Sequence, residues 1–228
     1  MSSRNPASAR VASLLAVGSF NAALRGREGA RITRQLHKVV LDGDDIHRTL
    51  VRIAHEILEK NAGREIALVG IHRRGALLAR RLHRLISDLL GTELPLGDID
   101  ISFYRDDVAA PLRTSARRAV PAGAPLVHAS HIDFALEGRT VVIVDDVLFT
   151  GRTSRAAIEA LFDYGRPDRV QLAALIDRGH RELPFRADYV GKNLPTARGE
   201  HVAVHVEELD GEDAVSISTP PDAVEAAA

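Results

Sequence analysis

Two neighbouring carboxylates, Asp145 and Asp146, followed by the tetrapeptide Thr150–Thr153 (TGRT), are the residues whose types and spacing point most directly to chemistry. The backbone N–H groups of such a turn, together with the positive end of a following helix, favour a phosphate group. Gly151 lets the backbone approach a ligand closely. The carboxylates suit the hydroxyl groups of a sugar, or a Mg²⁺ ion that those hydroxyls help to hold. Phosphate and diol together describe a ribose 5-phosphate, whereas an isolated Asp-Asp pair would more simply cap a solvated strand end.

A second candidate anion site lies in the segment Gly70–Gly75 (GIHRRG), which follows an earlier apolar run. Backbone amides in a tight loop between two glycines can hold an anion, and Arg73 and Arg74 add positive charge beside it. An ordinary basic turn between a strand and a helix has the same composition. Spacing alone therefore leaves both interpretations open.

Alternating strands and helices must position these residues. Helical spacing predicts helices over Ile46–Leu58 (with an Asp N-cap), Gly75–Leu90 and Thr153–Tyr164. Continuous apolar runs predict buried strands, and alternation predicts a half-buried strand with Ile99, Ile101 and Phe103 on its dry face. The predicted strands are Ile66–Ile71, Asp98–Tyr104, Val141–Val144, Val170–Ile176, Val202–Val206 and Ala214–Ile217. Such alternation predicts an α/β protein with a mainly parallel sheet, in which ligands bind beyond the carboxyl ends of the strands.

Composition excludes several classes of protein. The 228 residues suggest one domain or at most two, and a net charge of −1 argues against a chain that coats nucleic acid by charge alone. The absence of cysteine excludes disulfides, thiol catalysis and iron–sulfur clusters. The histidines lack a clustered ligand spacing, so no zinc site is predicted. No run approaches eighteen apolar residues, so no transmembrane helix is predicted.

The stretch Val141–Thr153 resembles the phosphoribosyl-diphosphate (PRPP) signature of type I phosphoribosyltransferases. Its pattern is an apolar strand, two acids, two apolar residues, a spacer and Thr-Gly-x-Thr. Three further segments are similar in order and spacing to the PyrR family: Leu68–Leu82, Asp98–Asp107 and Ile176–Pro195.

Within the last of these segments, Arg178–Pro184 (RGHRELP) is typical of the PyrR family and not of PRPP enzymes in general. The similarity runs from about Val39 to Ile217. The chain departs from the family pattern in its N-terminal extension and in Val108–Ala124.

The resemblance implies a type I phosphoribosyltransferase fold, with a central, mainly parallel sheet flanked by helices and a small hood region. We assign residues 35–218 to this domain. Residues 1–34 are rich in Arg, Ala and Ser, a composition also found in transit peptides, and we expect a disordered N-terminal extension. Residues 219–228, rich in Pro and Ala, are expected to form a disordered tail.

The resemblance also implies two activities. The first is a glycosyltransferase reaction in which uracil and PRPP give UMP and diphosphate, with Mg²⁺ bound through PRPP and no protein ligand assigned. The second is UMP-dependent binding to the leader mRNA of pyrimidine biosynthetic genes, which attenuates their expression. A homodimer or higher homo-oligomer in the cytoplasm, without membrane contact, is expected.

The same resemblance assigns roles to individual residues. The catalytic residues are Asp145, Asp146 and Arg105, the last in a loop from Tyr104 that closes over PRPP. Phosphate and diphosphate are bound by Thr150, Gly151, Arg152, Thr153, His72, Arg73 and Arg74. The base contacts Arg178, Tyr189 and Val190. For Tyr189, packing in the protein interior is an equally good interpretation. RNA contacts Arg52, His55, Lys60, His180, Arg181, Arg186 and Lys192, for which a solvated basic face is the simpler alternative.

Two other functions remain as alternatives. One is an RNA-binding nucleotide sensor with vestigial enzyme activity. The intact pair Asp145-Asp146 and the TGRT turn argue against it, because a nucleotide sensor does not need a diphosphate loop. The other is a purine phosphoribosyltransferase, against which the segment Arg178–Pro184 argues. Parallel assays with uracil and purine bases, and RNA binding with and without UMP, distinguish these functions.

Overall fold

The computed structural model describes residues 36–104 and 130–219 as alternating strands and helices. In chain order, the elements are β1 (Leu36–Asp42), α1 (Gly43–Lys60), β2 (Glu65–Ile71), α2 (Arg74–Leu90), β3 (Leu96–Ile99), β4 (Arg139–Leu148), α3 (Arg152–Phe162), β5 (Arg169–Asp177), β6 (Tyr189–Asn193), β7 (His201–His205), α4 (Glu207–Asp210) and β8 (Ala214–Thr219). None of these helices, within the described ranges, is long and apolar enough to span a membrane.

A five-stranded sheet in the order β3-β2-β4-β5-β6 forms the centre, and every neighbouring pair in it is parallel. The strand β4 lies in the middle, and its run Val141–Val144 is buried on both faces. Buried side chains of α1 and α2 pack on one face of this sheet and those of α3 pack on the other. The sheet therefore has the two-sided cover that continuous apolar strands predict.

A second, antiparallel sheet of order β1-β8-β7 forms the predicted hood region, together with the short helix α4. Arg81 connects the hood to α2, the helix that packs on the central sheet. Its guanidinium donates to Glu208 at 2.5 and 3.0 Å and to Asp213 at 2.7 and 2.8 Å. These hydrogen bonds hold the pKa of both carboxyl groups below their usual range.

The predicted fold class and the three main helices are confirmed. The predicted Asp N-cap is also confirmed, because the Asp42 side chain accepts from the Asp45 N–H at 2.8 Å. The structure adds β1 and β6, which the sequence patterns had not indicated. The predicted disordered segment 1–34, Arg105 with its loop, and most of the predicted tail lie outside the described residues, although β8 includes Thr219.

The predicted strand Asp98–Tyr104 is wrong in its second half. The strand β3 begins at Leu96 and ends at Ile99. The Asp100 carboxylate accepts hydrogen bonds from the Ser102 N–H at 2.8 Å and from its hydroxyl at 2.5 Å, which turns the chain out of the sheet. Phe103 is consequently 75 % exposed rather than packed on a dry face.

Replacing Arg81 with glutamine tests how much its ion pairs hold the hood. We expect Arg81→Gln to lower the free energy of unfolding by about 1 kcal/mol near neutral pH, a value discounted for partial solvent exposure. Because Arg81 depresses the pKa of Glu208 and Asp213, this stabilisation is present above the unfolded pKa values and is lost as the pH falls. The difference from wild type should therefore shrink below about pH 4 in urea titrations. Arg84→Gln, at an exposed position of the same helix, is the control, and equal unfolding curves for both variants would contradict this role.

Candidate active site

A cavity of about 480 Å³ opens at the carboxyl edge of the central sheet. Four regions of the chain line it: the loop after β2, the turn after β3, the end of β4 with the start of α3, and helix α4 of the hood. Its polar lining residues are His72, Arg73, Arg74, Asp100, Ser102, Asp145, Asp146, Thr153 and Asp210. A larger groove of about 690 Å³ lies near the start of β2 and holds none of the predicted site residues. The first cavity is therefore the candidate active site.

Asp145 and Asp146 stand on β4 with fixed orientations. The Asp145 carboxylate, in a residue only 5 % exposed, accepts from the Asp146 N–H at 3.0 Å. The Asp146 carboxylate accepts from the Val147 N–H at 2.9 Å in the same way. Both residues line the cavity, so their carboxylates form a preoriented acceptor surface that suits sugar hydroxyl groups.

The loop after β2 is pressed against the end of β4. A β-carbon on Gly75 would lie 2.5 Å from the Val144 carbonyl oxygen, so only glycine fits here. His72, joined to Arg73 by a cis peptide bond, donates through Nε2 to Asp98 at 2.7 Å. The Arg73 side chain is exposed and forms no hydrogen bond or ion pair with another described side chain or carbonyl. The loop thus offers a cation and backbone groups to an anion beside the carboxylates.

Arg74 has a different environment from the one that the sequence predicted. Its guanidinium donates to both carboxylate oxygens of Asp210 in the hood, at 2.7 and 3.1 Å. The pair holds the pKa of Asp210 below its usual range. Arg74 therefore lines the cavity as half of an ion pair that joins the loop to the hood, and its charge is already balanced there.

The TGRT turn connects β4 to α3. Gly151, with φ of +91°, is the residue that precedes the helix, and Thr153 lines the cavity. Arg152 is ion-paired with Glu182 at 2.9 and 3.0 Å. The turn therefore places its backbone amides beside the carboxylates, as a ribose 5-phosphate site requires.

The predicted base-binding residues are mostly occupied elsewhere. Arg178 is 6 % exposed, and its guanidinium donates to Thr196 and to the Glu200 carbonyl and lies 4.1 Å from the centre of the Phe149 ring. Burial lowers the pKa of Arg178. Through the Phe149 ring, Arg178 therefore packs against the residue that directly precedes the TGRT turn.

Tyr189 lies in the core, where the packing alternative places it, and does not line the cavity. Tyr189 is 2 % exposed in the core, where its hydroxyl accepts from Asn61 at 2.9 Å and donates to Gln171 at 3.0 Å. The next residue, Val190, is half-buried in β6, and its carbonyl accepts from Arg52 at 3.1 Å.

The predicted RNA-binding residues divide into two groups. Side chains of the first group have intramolecular partners: Arg52 with Glu56 and two β6 carbonyls, Lys60 with Asp188, His180 with the Thr196 carbonyl, and Arg181 with Asp177 and several carbonyls. Arg52 and Lys60 are exposed but engaged in these ion pairs. The second group, which is exposed without such a contact, consists of His55, Arg186 and Lys192. Of the seven predicted residues, only these three could bind a phosphate through the side chain without first losing one of the intramolecular contacts named above.

Sequence reasoning missed Asp100, Ser102, Leu209 and Asp210, all of which line the cavity. The first two were assigned to a strand. The other two come from the hood, far along the chain, and no local motif marks them. No group of three acidic or histidine side chains that could hold a metal ion occurs in the described ranges.

Comparison with known proteins identifies relatives over most of the chain. The model of the phosphoribosyl transferase domain family matches residues 39–209. The "Bifunctional protein PyrR" of Roseiflexus sp. (strain RS-1) is 55 % identical over 175 residues, which cover 76 % of this chain and 90 % of that protein. The protein of the same name from Deinococcus radiodurans is 51 % identical over 184 residues, 80 % of this chain and 95 % of that protein.

Solved structures agree with the fold. The hypoxanthine phosphoribosyltransferase of Staphylococcus aureus superimposes with a TM-score of 0.58 at 20 % identity, covering 82 % of this chain and 94 % of that one. The enzyme of the same name from Trypanosoma cruzi gives a TM-score of 0.57 at 19 % identity, covering 80 % and 97 %. At this identity the likeness shows the type I phosphoribosyltransferase architecture and says nothing about the base.

Gly75→Ala tests whether the loop after β2 binds an anion through its close packing on β4. The added β-carbon collides with the Val144 carbonyl and must displace the loop. We expect the affinity for inorganic diphosphate, measured by calorimetry, to fall by about tenfold or more, that is ~1.4 kcal/mol. Gly199→Ala is the control, because a β-carbon there meets no atom within 4 Å. Equal diphosphate affinity in both variants would refute this assignment of the loop.

Proposed function

The chain belongs to the PyrR family and carries its phosphoribosyl transferase domain, and from this membership we propose the residue-level account that follows. The protein is a uracil phosphoribosyltransferase and a regulator of pyrimidine biosynthetic genes. The site assignment rests on one observation: Asp145, Asp146, Thr153 and Arg73 line the same cavity. We assign the catalytic domain to residues 35–218 and leave residues 1–34 and 219–228 outside it.

In the reaction, a bond forms between N1 of uracil and C1′ of the ribose as the bond from C1′ to diphosphate breaks. The bonding electrons leave with the diphosphate, and the N1 proton passes to the diphosphate or to water. Positive charge develops on the ribose and negative charge on the leaving diphosphate. Asp145 and Asp146 hold the ribose hydroxyls and face the developing positive charge. The amides of the TGRT turn and the start of α3 hold the 5-phosphate. Arg73 and the backbone of its loop hold the diphosphate, with Arg105 as a further proposed contact.

The protein could supply only some of the ligands of a Mg²⁺ ion at this site. The two adjacent carboxylates are oxygen ligands of the kind that Mg²⁺ prefers, and the remaining oxygens would come from PRPP and water. When bound, the ion neutralises charge on the leaving diphosphate. The protein's own contribution is to orient the ribose and the diphosphate on either side of the β4 carboxylates.

The base must enter between the end of β4 and the hood. Because Tyr189 is in the core and the buried Arg178 guanidinium lies over the Phe149 ring, neither is assigned to the base. We assign base contact instead to the cavity residues Val147 and Leu209, which offer apolar surface beside the carboxylates.

The regulatory partner is the leader mRNA of pyrimidine genes. His55, Arg186 and Lys192 are the proposed phosphate contacts, because they are exposed. Lys192 also lines a groove of about 390 Å³. The arginines of that groove, Arg48 and Arg52, are paired with Asp45 and Glu56, so Lys192 is its unpaired cation among the described side chains. UMP favours the RNA-binding form, and RNA must in turn strengthen UMP binding by the same factor.

Location and assembly follow from these partners. PRPP, uracil, UMP and mRNA are cytoplasmic compounds, so we assign the protein to the cytoplasm. We assign a homodimer as the assembly, since two copies would double the basic surface offered to RNA.

Removing both β4 carboxylates tests the ribose assignment. We expect Asp145→Ala with Asp146→Ala to lower the rate of UMP formation about 10²–10³-fold, as when a group facing developing charge is removed, and to weaken PRPP binding. Circular dichroism should show an unchanged fold. The control is Asp88→Ala, at an exposed carboxylate of α2. Wild-type turnover in the double variant would exclude a ribose role for these carboxylates.

Truncating the exposed group tests the RNA surface. His55→Ala with Arg186→Ala and Lys192→Ala should weaken leader RNA binding in the presence of UMP, measured by gel shift. The slope of log affinity against log salt should decrease by about 0.7 for each phosphate that the variant no longer neutralises. UMP formation by the same variant reports an intact active site, and Arg84→Ala with Arg169→Ala controls for net charge. An unchanged salt slope would place RNA on another surface.

A further inference from the structure

The segment Asp177–Phe185, here called the bracing segment, folds around the end of β4 and the turn that follows it. Three successive carbonyl groups, of Leu148, Phe149 and Thr150, accept hydrogen bonds from it. The pairs are the Arg178 N–H to Leu148 O at 3.1 Å, Arg181 Nη1 to Phe149 O at 2.7 Å, and the N–H groups of Glu182 and Leu183 to Thr150 O at 3.0 Å each.

This pattern determines which way the amides of the TGRT turn face. In a planar trans peptide, the carbonyl of one residue and the N–H of the next point in opposite directions. Because the carbonyls of Phe149 and Thr150 face the bracing segment, the N–H groups of Thr150 and Gly151 face away from it. Neither N–H has a protein acceptor in the described part of the chain. Two outward donors at the start of α3 are what a phosphate requires.

Arg181 joins the parts of this arrangement. Its Nε donates to the Phe185 carbonyl at 2.9 Å, and its Nη2 donates to Asp177 at 2.5 Å while Nη1 holds Phe149. One planar guanidinium thus links the end of β5, the far end of the bracing segment and the phosphate turn. A lysine ammonium cannot reproduce this fork with fixed geometry.

Side-chain contacts support the same arrangement. A β-carbon on Gly151 would lie 3.1 and 3.3 Å from Phe185 and 3.3 Å from Leu183, so the turn packs directly on the bracing segment. The Phe149 ring lies under the Arg178 guanidinium, and His180 meets its edge at 6.0 Å between ring centres. The turn is thereby held from the side opposite to its outward amides.

We propose that Arg181 is a positioning residue for the 5-phosphate of PRPP and UMP, acting by holding the Phe149 carbonyl so that the amides of the turn face the ligand. This inference rests on the proposed function, because it takes the TGRT turn as the phosphate site. Most donors of Arg181 have acceptors inside the protein, which gives this residue a role at the nucleotide site in addition to the RNA contact that the resemblance implies.

Direct ligand binding tests this role without requiring turnover. Wild type, Arg181→Gln, Arg181→Lys and the exposed control Arg84→Gln are titrated calorimetrically with UMP and, separately, with inorganic diphosphate. We expect Arg181→Gln to weaken UMP binding by about tenfold or more, equivalent to losing a charge-assisted hydrogen bond. Diphosphate affinity should stay at the wild-type value, because that ligand binds at the loop after β2. Arg181→Lys should recover part of the loss.

Kinetics supply a second readout. Arg181→Gln should raise the KM for PRPP with a smaller effect on kcat, because the binding of the unreacting phosphate is what weakens. Wild-type affinity for UMP in a folded Arg181→Gln variant would overturn the inference. Parallel loss of UMP and diphosphate binding would also overturn it, by showing a general structural role.

Failure of the proposed function gives a different result. If wild type binds UMP but forms none from uracil, the transferase assignment fails. The comparison of UMP affinities between wild type and Arg181→Gln still decides the role of Arg181.

Discussion

Parallel pairing of β4 with β2 and β5 is the constraint on which the site depends. It aligns the carboxyl ends of three strands, so that a loop, a carboxylate pair and a helix start converge on one cavity. The buried run Val141–Val144 anchors this pairing on both faces. Because Gly75 lies against the Val144 carbonyl, the anion loop and the carboxylates keep a fixed separation. A ligand that spans both must match that separation.

The hood adds a second, electrostatic constraint. Two arginines of α2 pair with acids in or just after α4: Arg74 with Asp210, and Arg81 with Glu208 and Asp213. The first of these pairs lies in the cavity wall itself. The Arg74–Asp210 pair therefore also sets the charge of the cavity, since the carboxylate balances the charge of an arginine in the cavity wall.

Much of this architecture could be predicted because its signals are local. The motif from Val141 to Thr153 combines strand, carboxylates and turn within one short stretch, and the structure keeps all three together. Features that depend on distant partners could not be predicted. Tyr189 is placed in the core by Asn61 and Gln171, and Asp210 reaches the cavity through the hood. The sequence predicts a strand that continues past Ile99, because the alternation of apolar residues gives no sign of the turn. That turn forms where the Asp100 carboxylate accepts from the Ser102 N–H.

Base selectivity is the property to measure, because the fold is shared with hypoxanthine phosphoribosyltransferases and only the acceptor base distinguishes the two reactions. The measurement is the formation of nucleotide from PRPP and Mg²⁺ with labelled uracil, and in parallel with hypoxanthine, guanine and adenine. We expect UMP from uracil, dependent on Mg²⁺, and no nucleotide from the three purines. Product from a purine, or none from uracil, would contradict it.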